Sequence, residues 1–117
     1  MRTTWLTAFL DFPAESFAAG AAFWRAVTGF EVSASRGQTG EFAALVPPAG
    51  DDYLRLQRLG TGGSRLHLDL SVPDPREAAD EAIALGATEL ADEGYVVLRS
   101  PGGLVFCLVA HGGSVRP

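Results

Sequence analysis

The sequence predicts an α+β fold: two tandem βαβββ modules forming a curved mixed sheet around a central cavity, with the helices outside. Three observations carry that prediction. Residues 65–77 change from a period of two to a helical start, residues 4–28 make the same change earlier, and a glycine-rich break separates the halves. With 117 residues, 47% of them hydrophobic, the chain suits a single domain spanning 1–117. Module one covers about 3–59, a linker 60–64, and module two about 65–110.

In order, residues 4–12 read as a strand with Leu6, Ala8 and Leu10 on one side and Trp5, Thr7, Phe9 and Asp11 on the other. From Pro13 to Thr28 the period lengthens, so Phe17, Ala21, Trp24 and Val27 share a helix face, and Gly29 supplies the stop. Phe30–Ser33 and Gly40–Val46 are short strands. Tyr53–Arg58 alternates again, with Tyr53, Arg55 and Gln57 opposite Leu54 and Leu56. Gly60-Thr61-Gly62-Gly63-Ser64 precedes a strand rather than opening a helix, so it reads as a linker and not a phosphate loop.

The second half begins with Leu66, Leu68, Leu70 and Val72 on an expected buried face, opposite His67, Asp69 and Ser71. Asp74, Pro75 and Glu77 then read as N-cap, first helical position and capping-box partner of a helix running to about Leu85. The segment from Glu89 to Arg99 contains the apolar strand Tyr95–Leu98. Leu104–Ala110 follows the turn at Ser100–Gly103, and the tail from His111 reads as frayed.

The formal net charge is -5, and the chain has nine Lys plus Arg residues without a basic cluster, which argues against nucleic-acid binding. One cysteine excludes an internal disulfide. No apolar run is long enough to span a membrane, so the expected setting is cytoplasmic.

Three stretches resemble the vicinal oxygen chelate superfamily, and within it the glyoxalase-like and bleomycin resistance-like domains. They are Phe23-Trp24-Arg25-Ala26-Val27-Thr28-Gly29, Leu66 to Asp74, and Ser100 to Val109, beside the opening strand. The resemblance implies a homodimer and, in enzymes of the family, a divalent metal held by four residues, one from the first and one from the last strand of each module. Carried onto this chain, those positions fall on Trp5 or Thr4, on Gln57, on His67 and on Cys107. Of these, only His67 is the expected residue type.

No catalytic metal is therefore expected, and Gln57, His67 and Cys107 are degenerate metal candidates. Cys107 reads as an inert buried thiol. His67 remains open between a wall residue, a ligand contact and a metal ligand; it is the catalytic candidate if there is one. Asp69 could orient His67, pair with Arg55, or simply be solvated. The expected function is binding of a small planar or apolar molecule by Trp5, Thr7, Phe9, Arg55, Gln57, His67 and Asp69, with Trp5 either lining the cavity or filling it. The alternative is a lyase, isomerase or dioxygenase that uses a divalent metal (Zn, Ni, Co, Fe or Mn). A metal-free enzyme with His67 as general base is a third possibility.

Overall fold

The computed structural model describes residues 2–110, and the tail read as frayed, with His111, lies outside them. The fold is α+β and consists of tandem βαβββ modules. Residues 7–66 form one compact unit; among the described residues, 2–6 and 67–110 form the other.

The first module comprises β1 (Trp5–Pro13), α1 (Ala14–Thr28), β2 (Glu31–Val32), β3 (Phe42–Val46) and β4 (Leu54–Leu59). Its strand order is β2-β3-β4-β1. β1 runs parallel to β4, a pairing that requires the α1 crossover, and the β2–β3 and β3–β4 pairs are antiparallel. Leu10, Ala43, Leu45 and Leu56 form the core, with Phe12, Phe17, Ala21 and Trp24 packed against it. Gly20 costs helix stability but is needed here. A Cβ at that position would lie 2.9 Å from the Phe12 ring, so the missing side chain lets α1 settle on β1. Gly29 closes the helix in the left-handed conformation (φ 75°) and donates its N–H to the Arg25 carbonyl at 2.9 Å. Val27 departs from the expected helix face and is exposed. The half-buried stripe runs instead through Phe17, Ala21 and Trp24, at intervals of four and three.

The second module comprises β5 (Arg65–Val72), α2 (Pro75–Ala84), β6 (Thr88–Asp92), β7 (Val96–Arg99) and β8 (Val105–Ala110). Its order, β5-β8-β7-β6, repeats the first, with β5 and β8 parallel. Asp74 caps α2, its Oδ1 accepting from the N–H groups of Arg76 (3.1 Å) and Glu77 (3.2 Å). Three small residues, Ala78, Ala79 and Ala82, let the helix sit close over Val72, Val96, Leu98 and Leu108. Arg76 ties α2 to β6 by reaching Asp80 (3.0 Å), Glu89 (2.7 Å) and Asp92 (2.9 Å).

The apolar face of β5 is only half buried, contrary to the expectation from its alternation. Leu66 is 65% exposed and Leu68 39%, whereas Leu70 and Val72 join the core. The ten residues of α2 span about 15 Å and cover the later half of the strand alone. The polar side is the one that is buried at His67 and Asp69.

Candidate functional site

Each module buries a polar strand face, and the two faces are chemically different. In the first, alternation along β1 sends Leu10 and Phe12 toward α1 and places Thr7, Phe9 and Asp11 on the opposite side. Register sets Phe9 beside Arg55 and Asp11 beside Gln57 on β4; on the other flank of β4, Ala44 lies beside Arg55 and Phe42 beside Gln57. Thr7, Phe9, Asp11, Phe42 and Ala44 are buried. The rings of Phe9 and Phe42 meet edge to face, with centroids 6.1 Å apart and planes at 69°. Trp5 and Tyr53, expected on the same face, are about half exposed.

Polar pairing on this face is uneven. Asp11 Oδ2 accepts from Arg65 Nε at 2.9 Å. Arg55 Nε and Gln57 Oε1 are buried with no hydrogen-bond partner. The described ion pairs, which link Arg25, Arg65, His67 and Arg76 to carboxylates, do not include Arg55. A buried donor or acceptor left unmatched costs about 1–3 kcal/mol, so such a pair favours an occupant able to match both.

The second module brings together His67, Asp69 and Cys107, all buried. His67 and Asp69 are two apart on β5 and therefore share a face; the parallel register sets Asp69 beside Cys107 on β8. His67 Nε2 lies 3.2 Å from Asp69 Oδ1, and the imidazole, carboxylate and thiol donor atoms all lie within 4.8 Å of one another. Nitrogen, oxygen and sulfur donors so close together fit Zn²⁺, which accepts this mixture, and suit Mg²⁺ poorly. Two of the degenerate metal candidates, His67 and Cys107, meet here with Asp69.

Phe42 and Asp11 lie outside the predicted site residues. Asp69, a predicted ligand contact, shares the buried face of His67 as its spacing implies. Phe42 was assigned to a strand without a face. Asp11 lies on its expected face, but its complete burial and its bond to the distant Arg65 have no local signal. A shallow concavity elsewhere in the first module is lined by Ala22, Arg25, Ala26, Gly29, Phe30 and Glu31. No helix among the described residues is long and apolar enough to cross a membrane.

No curated protein matches the chain in sequence. Among solved structures, it is similar to a glyoxalase/bleomycin resistance protein/dioxygenase superfamily member from Vibrio splendidus, at 18% identity and TM-score 0.57, over 91% of this chain and 97% of that one. It is also similar to a methylmalonyl-CoA epimerase in complex with methylmalonyl-CoA and NH4+, at 20% identity and TM-score 0.64, over 99% of this chain and 100% of that one. A Streptomyces coelicolor methylmalonyl-CoA epimerase in complex with 2-nitronate-propionyl-CoA is 20% identical at TM-score 0.63, over 96% and 100%. At such identities the likeness is one of fold. The glyoxalase-like domain family itself matches residues 7–109, nearly the whole chain, and with the tandem βαβββ modules this makes the chain a member of that family.

Proposed function

We propose that this glyoxalase-like protein binds a small planar molecule on the β1–β4–β3 face of its first module, without requiring a metal there. The observation that carries the reading is the pair of buried, unpartnered atoms, Arg55 Nε and Gln57 Oε1, beside the Phe9–Phe42 pair. Aromatic walls with a few polar groups are the usual composition of a small-molecule site. Thr7 lies on the same strand face, two residues before Phe9, and adds a hydroxyl. A thermal-shift screen of planar aromatic compounds tests the reading. Stabilisation that rises with ligand concentration and is lost in Phe9→Ala supports it; no stabilisation by any planar compound contradicts it.

The His67–Asp69–Cys107 cluster favours a second reading, a divalent-metal-dependent enzyme. Its three side chains would hold Zn²⁺, and the bound ion would supply Lewis-acid chemistry. His67 and Asp69 would then act as ligands, and no general-base role would remain for the imidazole. Elemental analysis of protein purified without chelators decides this reading: zinc near one equivalent, falling in Asp69→Ala, supports it. Protein that neither retains zinc nor takes it up on titration contradicts it.

A further inference from the structure

We propose that the molecule held on the first-module face is a planar carboxylate that also carries an N–H or O–H donor. This rests on the planar-ligand reading above and adds the chemical class.

Arg55 and Gln57 present opposite needs. Arg55 Nε is a donor without an acceptor, and Gln57 Oε1 is an acceptor without a donor. Arg55 is also a half-buried cation outside every described ion pair. The carboxylate on this face, Asp11, is engaged by Arg65 at 2.9 Å. A partly desolvated guanidinium calls for an anion, and its planar edge fits a carboxylate. One cation on a chain of formal net charge -5 suits a monoanion better than a dianionic phosphate.

The two needs fix which groups the ligand carries. Arg55 Nε needs an acceptor and Gln57 Oε1 a donor, so a carboxylate alone cannot serve both. The ligand therefore carries an acceptor and a separate donor on one planar frame, beside the Phe9–Phe42 pair.

Isothermal titration calorimetry of the full chain with 4-aminobenzoate, benzoate and aniline tests the class. The expected order is 4-aminobenzoate tightest, benzoate weaker by severalfold, and aniline weaker than 4-aminobenzoate by about tenfold or more, the scale of a charge-assisted hydrogen bond. Arg55→Met should abolish the advantage of benzoate over aniline, and Gln57→Leu the advantage of 4-aminobenzoate over benzoate. The wild-type series stands even where a variant fails to fold. Aniline binding as tightly as 4-aminobenzoate overturns the carboxylate class and leaves the planar-ligand reading intact. Failure of all three to bind overturns the carboxylate class, and the thermal-shift screen then decides the planar-ligand reading.

Discussion

Removing Arg65 should destabilise the protein far more than removing a comparable surface arginine. Arg65 Nε donates to Asp11 Oδ2 at 2.9 Å; the Asp11 side chain is wholly buried and that of Arg65 is 45% exposed. Breaking a fully buried ion pair costs about 3–5 kcal/mol because one charge is left stranded, and an exposed pair is worth about 0–1 kcal/mol. This pair lies between the two limits. Water can reach the space Arg65 vacates, and Asp11 has a further interaction of its own, so Arg65→Ala should cost about 2 kcal/mol. For 117 residues the unfolding entropy near the midpoint is about 250 cal/mol/K, which converts that loss to about 8 °C in Tm. Arg25→Ala is the matched control, since its pair with Glu31 is long (3.8 Å) and both side chains are mostly exposed. Thermal melts followed by circular dichroism should show a small change for Arg25→Ala and the large one for Arg65→Ala. Equal melting temperatures for the two variants would refute the reasoning about Asp11.

Three further outcomes concern the second module. Leu98→Ala empties a fully buried position against α2 and should lower stability by about 3 kcal/mol in urea titrations. Asp74→Ala removes the acceptor for two N–H groups at the start of α2 and should cost about 1 kcal/mol, whereas Asp74→Ser should recover most of it. The Gly94 backbone N–H, and after it Arg76, hold the Asp92 carboxyl below the usual carboxylate range. A lowered carboxyl contributes stability above its unfolded value and loses it as pH falls through the folded one. The urea midpoint should therefore drop as pH falls below about 4, and less steeply in Asp92→Asn.

Much of the fold was legible because punctuation and periodicity agreed. Pro13 and Gly29 bracket α1, Asp74-Pro75 opens α2, and alternation marks β1, β4 and β5. β6 was not delineated: Thr88–Asp92 is an edge strand with only Ala91 half-buried, so it has no apolar period to read. Alternation shows which residues share a face but not which face becomes covered. For that reason Leu66 and Leu68 were expected inside and are exposed, while His67 and Asp69 are buried. The candidate sites divide similarly. Strand period puts Thr7 with Phe9 and Arg55 with Gln57, but joining those two pairs, adding Phe42 to them, or adding Cys107 to His67 and Asp69, depends on strand register. Register is set by pairings distant in sequence and has no local signature.

The most direct measurement is a crystal structure of the protein grown with 4-aminobenzoate. The proposed binding mode requires density beside Phe9 and Phe42, a carboxylate oxygen within about 3.2 Å of Arg55 Nε, and the amino group on Gln57 Oε1. Ligand density confined to the concavity at Ala22, Ala26 and Phe30 would contradict it, as would an Arg55 Nε already bonded to a protein carbonyl.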